Sequence, residues 1–145
     1  MNNRRSFIVG IKSTKLSSKE KNFIKRYRPW GIILFTRNIK NIQQTQKLTS
    51  EIRKIFNDKK YPILIDQEGG RVNRLKNLIS FDNLTSEFFG KKFIKNYLEF
   101  TTYYNLFIDK TSYLLRLIGV NINTCPVLDL KIKGSSNIIG DRSFS

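Results

Sequence analysis

An α/β chain with a parallel sheet is predicted by two patterns: short apolar runs of strand length, and helical segments lying between them. The runs are Phe7–Ile11, Gly31–Phe35, Pro62–Ile65 and Asn123–Leu130. Three of them are almost continuously apolar, as strands buried on both faces are. Strands alternating with helices imply right-handed crossovers and parallel pairing. Two closed arrangements compete for this order: a doubly wound open sheet, or the first half of a (β/α)₈ barrel. A whole barrel takes about 250 residues, so this chain supplies only part of one.

Each helix has its own signals. Ser17-Ser18-Lys19-Glu20 forms a capping box that opens a helix running toward Arg26, which Pro29 stops. Asn41, with Gln44 three residues on, caps a second helix, whose Leu48, Ile52, Ile55 and Phe56 fall on one face. A third, longer pattern runs from Phe93 to Ile118, with Tyr97, Tyr104, Ile108, Leu115 and Ile118 as inward positions. Gly119 then supplies a stop. No linker or repeat divides the chain, and Gly140–Ser145 does not resemble a natural ending.

Composition narrows the chemistry. Lys and Arg number 27 against 11 Asp and Glu, a net charge of +16. The basic residues are spread through every segment, so this excess reads as composition and not as a nucleic-acid footprint. Cys125 is the only cysteine; flanked by Thr124 and Pro126, it reads as a buried, inert thiol, and a reduced, cytoplasmic setting follows. No apolar run approaches the roughly 20 residues of a membrane span. The chain contains no histidine, which excludes imidazole as acid, base or metal ligand within it.

The most informative stretch is Ile63-Leu64-Ile65-Asp66-Gln67-Glu68-Gly69-Gly70-Arg71-Val72-Asn73-Arg74. An apolar strand ends in a carboxylate, then a glycine pair, then two arginines. The C-terminal end of a parallel strand is where α/β folds place binding groups. Arg71 and Arg74 favour an ionised Asp66, a good acceptor for sugar hydroxyls, while arginine is a planar donor. From spacing alone, a structural Asp–Arg pair pinning a tight loop fits equally well. The glycine pair matches no phosphate-cradling pattern.

Asp66–Val72 with Arg74 resembles the signature loop of family 3 glycoside hydrolases. Gly31–Ile39 is similar to the family's second strand and its Arg-Asn turn. Asn123–Asp129 resembles the strand ending in Pro-Val-Leu-Asp, and Ile139–Ser145 the Gly-Asp-Arg-Ser-Phe motif. These motifs stand in the family's order across nearly the whole chain. Within the family they are most similar to the small bacterial β-N-acetylglucosaminidases that act on cell-wall fragments in the cytoplasm. Between Ser80 and Ser86 the sequence lacks the prolines usual there.

The resemblance implies the N-terminal half of a (β/α)₈ TIM-type barrel, with residues 1–145 forming one partial catalytic domain truncated at its C-terminal end. It implies retaining hydrolysis through an Asp nucleophile, with a loop His paired to an Asp as acid/base. In relatives those residues follow the position of Ser145, so no catalytic residue is expected within the chain. For the subsite holding non-reducing N-acetylglucosamine, it assigns Asp66 to accept from sugar hydroxyls and Arg74 and Arg142 to donate. Asp129, Arg37 and Asp141 read as structural, the last two in internal pairs, and Glu68 as a brace for the loop. The implied partner is an N-acetylglucosamine-containing saccharide from peptidoglycan, together with a missing C-terminal fragment. No cofactor or metal, nucleic acid or membrane is implied.

Overall fold

The computed structural model describes residues 4–132, 134 and 138–144. Ser145, the last residue of the Gly-Asp-Arg-Ser-Phe stretch, lies outside them. Four parallel strands, β1 (Arg5–Gly10), β2 (Pro29–Leu34), β3 (Ile63–Ile65) and β4 (Ile122–Asn123), form one sheet in the order β1-β2-β3-β4. Each strand pairs with its successor, and the order never reverses. A doubly wound sheet reverses at its switch point, so the half-barrel is the arrangement observed.

Register assigns the two faces of the sheet. Ile32 pairs with Ile63 and Leu34 with Ile65, and all four are buried with Ile24, Leu48 and Ile52 from the helices. The other face carries Ile8, Gly31, Ile33, Leu64 and Ile122, partners in the same registers. On that face Ile8 is 45% exposed. One face is a packed core; the other is the incompletely covered inner surface of an open barrel.

The helix α1 (Ser18–Tyr27) opens with the predicted box: Ser17 Oγ accepts from the Glu20 N–H at 3.2 Å, and Glu20 Oε2 from the Ser17 N–H at 2.8 Å. Arg28 caps its end in the left-handed region, its N–H donating to the Ile24 carbonyl, and Pro29, which has no N–H, cannot continue the helix. In α2 (Ile42–Phe56) the Asn41 side chain accepts from the Gln44 N–H at 2.8 Å, and Leu48, Ile52 and Phe56 are buried as predicted, with Ile55 half-buried.

The third helical pattern divides. The chain forms α3 (Ser86–Lys95) and α4 (Tyr97–Leu117), with Asn96 ending the first and capping the second. Asn96 adopts extended backbone and its side chain accepts from the Glu99 N–H at 3.1 Å, which breaks the predicted continuous helix. Leu115 and Ile118 are buried and Tyr104 is half-buried; Ile108 is inward as predicted but lines an open cavity and stays 41% exposed, whereas Tyr97 faces outward, contrary to the sequence reading. Gly119 adopts a left-handed φ of 81° at the end of α4, as expected of a stop.

The fourth strand is also shorter than predicted. Asparagine side chains flank it and take over ladder positions: Asn121 Oδ1 accepts from the Ile63 N–H, and Asn123 bonds both the N–H and the C=O of Gln67. Pro126 has no N–H to continue the ladder, and Leu128 and Leu130 are exposed.

Candidate functional site

At the C-terminal end of β3 the chain turns back through Gly69 and Gly70, both at positive φ. A Cβ on Gly69 would lie 2.2 Å from the Leu84 carbonyl oxygen, so only glycine fits this turn. The loop is held from within by Gln67, which is 1% exposed. Its Oε1 accepts from the N–H groups of Arg74 and Leu75 at 2.7 and 3.0 Å, and its Nε2 donates to Asn73 at 3.1 Å. Asn123 of β4 fixes the Gln67 backbone on the other side. Sequence reasoning missed both amides. A polar residue continuing a buried strand without a break was the available signal.

With the loop fixed, Asp66 and Arg74 meet edge to edge, Arg74 Nε and Nη2 donating to the two carboxylate oxygens at 2.8 and 2.6 Å. Those bonds hold the Arg74 guanidinium charged beyond its ordinary range. Arg74 also lies over the Phe35 ring, 5.5 Å from its centroid. Arg71 turns away from Asp66. It pairs with Asp141 at 3.0 Å and donates to the carbonyls of Ile138 and Ile139 at 2.6 and 2.5 Å.

Arg142 stands on a short 3-10 turn, Gly140–Arg142, and Glu68 accepts two bonds from it, each 2.7 Å. The Glu68 side chain is 7% exposed, so it braces this segment as well as its own loop. The segment also seats on α3, where a Cβ at Gly90 would lie 1.6 Å from the Phe144 carbonyl oxygen. Asp141 is internally paired, as expected. Arg37 instead donates to the Ile11 carbonyl at 3.0 Å and lies over the Phe35 ring.

The groups form one electrostatic cluster. Burial, then the carboxylates of Glu68 and Asp66, push the Cys125 thiol up to about 12, against the pull of Arg142 and Arg74. The thiol is thus held in its neutral form, as the sequence reading expects, but Cys125 is half-buried beside a cavity and not fully enclosed. Three arginines match three carboxylates (Asp66–Arg74, Glu68–Arg142 and Asp141–Arg71), so this rim is charge-balanced in a protein of net charge +16. Beside it lies an aromatic cavity of about 220 Å³, lined by Phe89, Tyr104, Phe107, Cys125 and Phe144 among others. Gln67 and Glu68 reach that cavity, whereas Asp66, Arg74 and Arg142 do not line it. The structure thus brings Asp66, Arg74 and Arg142 together as ion-paired edges beside the apolar hollow and not as its lining. The described residues offer no cluster of three or more metal-ligating side chains.

Similarity to known proteins bears on the fold and the family. A β-hexosaminidase of Hydrogenovibrio crunogenus is 36% identical over 137 residues, covering 94% of this chain and 38% of its own length. A β-hexosaminidase of Psychromonas ingrahamii is 35% identical, covering 97% and 40%. The chain therefore spans about two fifths of the curated relatives it matches. The crystal structure of native NagZ from Neisseria gonorrhoeae superimposes with a TM-score of 0.84 at 29% identity, over 97% of this chain and 40% of that one. The same protein in complex with N-trifluoroacetyl-D-glucosamine superimposes at 0.73 and 28% identity, over 97% and 42%. The glycosyl hydrolase family 3 N-terminal domain matches residues 6–145, and the chain belongs to that family.

Proposed function

We propose that this chain forms the saccharide-holding part of a retaining β-N-acetylglucosaminidase that acts on peptidoglycan-derived fragments in the cytoplasm. The observation that carries this reading is the charge-balanced rim. A site of three matched ion pairs has no net attraction for phosphate, yet offers directed donors and acceptors to neutral hydroxyls. Asp66 accepts from sugar hydroxyls on the lone pairs that Arg74 leaves open. Arg74 and Arg142 donate from two sides through N–H groups not used by Asp66 and Glu68. In the reaction, a carboxylate forms a glycosyl-enzyme intermediate that water then hydrolyses. These residues include no histidine, so an imidazole acid/base comes from outside them, and by the family resemblance so does the nucleophilic Asp, both from a further part of the fold acting as partner. No cofactor has a role.

Two measurements test the proposal. Calorimetric titration with N-acetylglucosamine should show binding that changes little with salt and is lost in Asp66→Ala. Affinity that instead falls with salt at a log–log slope near −0.9 per contacted phosphate, using an oligonucleotide, would mark a nucleic-acid module and contradict it. The chain alone should give no turnover of a chromogenic N-acetylglucosaminide, and measurable turnover would overturn the assignment of the chemistry to other residues.

A further inference from the structure

We propose that Glu68 is a positioning residue for the saccharide, acting through Arg142. This inference rests on the sugar-holding reading above and names the group that aims one of its donors. Glu68 stands two residues after Asp66, and its N–H donates to the Val72 carbonyl at 3.2 Å across the glycine turn. Its stem is thus fixed by the loop that carries Asp66 and Arg74. Its Oε2 accepts from Arg142 Nε and its Oε1 from Nη2, each at 2.7 Å. Among the described residues, every hydrogen bond of the Arg142 guanidinium goes to Glu68. Those bonds, above all, hold Arg142 charged beyond its ordinary range. The Glu68 side chain is too enclosed to offer a ligand much surface, whereas that of Arg142 is 28% exposed.

A guanidinium carries five N–H donors in a rigid plane, and pairing along its side occupies one on Nε and one on Nη2. The remaining three lie on the edge away from the carboxylate. Asp66 grips Arg74 in the same manner, through Nε and Nη2. Both arginines therefore present the same kind of edge, and the carboxylate behind each sets where it points. Holding the turn itself falls to other contacts. Arg71 pairs with Asp141 and donates to the Ile138 and Ile139 carbonyls, which fastens the turn to the β3 loop without Glu68. The Ser143 hydroxyl donates to the Gly140 carbonyl at 3.0 Å, closing the turn on itself. Loop and turn are thus joined twice, once to hold the turn and once to aim Arg142.

The test is a double-mutant cycle read by calorimetric titration of N-acetylglucosamine into the chain. Glu68→Gln keeps the side-chain shape but loses the charged two-point grip. It should weaken binding about fivefold, the net worth of one hydrogen bond. In an Arg142→Ala background the same change should alter affinity by less than about twofold, since no guanidinium is left to aim. Asp141→Asn, which loosens the holding pair, should also stay within about twofold. Before sugar is added, the Arg142 Nε–H resonance should move toward that of free arginine in Glu68→Gln, and by more than that of Arg74. Glu68→Asp, one methylene too short for both nitrogens, should reproduce the loss and serves the cycle if Glu68→Gln does not fold. An unmoved Arg142 resonance, equal losses in both backgrounds, or an equal loss in Asp141→Asn would overturn the inference and leave the sugar-holding reading standing. A wild-type chain that binds no N-acetylglucosamine would overturn that reading and this inference with it.

Discussion

The two longest helices, α2 and α4, are both amphipathic in sequence but differ in how much they bury. Five of the 15 residues of α2 are buried, among them Leu48, Ile52 and Phe56 against the strands. Of the 21 residues of α4 only Thr111 and Leu115 are, and Thr111 Oγ1 has no hydrogen-bond partner among the described residues. Tyr103, Leu106, Ile108 and Tyr113 are exposed along the same helix. The difference lies in the sheet. α2 packs across β2 and β3, which have a strand on each side, whereas α4 follows the sheet to β4, at its edge. An apolar stripe specifies a helix; only a neighbour buries it.

This contrast can be broken by substitution. The largest expected effect is at Ile52 of α2, fully buried, where Ile52→Ala should cost about 2–5 kcal/mol in urea unfolding. An equal loss from Leu106→Ala in α4, which should stay within about 0.5 kcal/mol, would erase the distinction. Next comes Gln67→Ala, which leaves the Arg74 N–H without its acceptor and the Leu75 N–H with only its longer bond to Asn73, and should cost about 1–3 kcal/mol by the same measurement. Ser17→Ala removes one half of the α1 capping box and should cost about 1 kcal/mol.

The smallest effect near neutrality concerns Cys125, beyond β4. Its thiol is raised from 9.0 to about 12 by burial, so folding favours the protonated form. Its contribution is complete below pH 9 and is lost as pH rises toward 12, so alkaline titration of unfolding should show stability falling across that window. Cys125→Ser should remove this part of the fall. A Cys125 that iodoacetamide alkylates at pH 8 as fast as free cysteine would contradict the sheltered placement.

The same contrast explains what was legible in the sequence. The strand centres, both α1 and α2 caps and the α2 face were readable because each is set by neighbours within a few residues. The break at Asn96 was not, because apolar spacing continues across it and only the capping bond to Glu99 reveals the turn. β4 was overestimated because the side chains of Asn121 and Asn123 replace backbone pairing, which no periodicity encodes. At the site, the motif pointed to Asp66, Arg74 and Arg142, and Glu68 was read as a brace. The partner of each guanidinium was not legible, since Glu68 and Arg142 lie 74 residues apart in sequence. Gln67 escaped notice because its work is done on backbone groups.

In the proposed function Asp66, Arg74 and Arg142 grip one sugar ring. Arginine side-chain Nε–H resonances, followed by NMR as N-acetylglucosamine is added, test it most directly. Saturable shifts at Arg74 and Arg142 with one common affinity, absent in Asp66→Ala, are expected. Shifts confined to arginines elsewhere, or unchanged in the Asp66 variant, would contradict it.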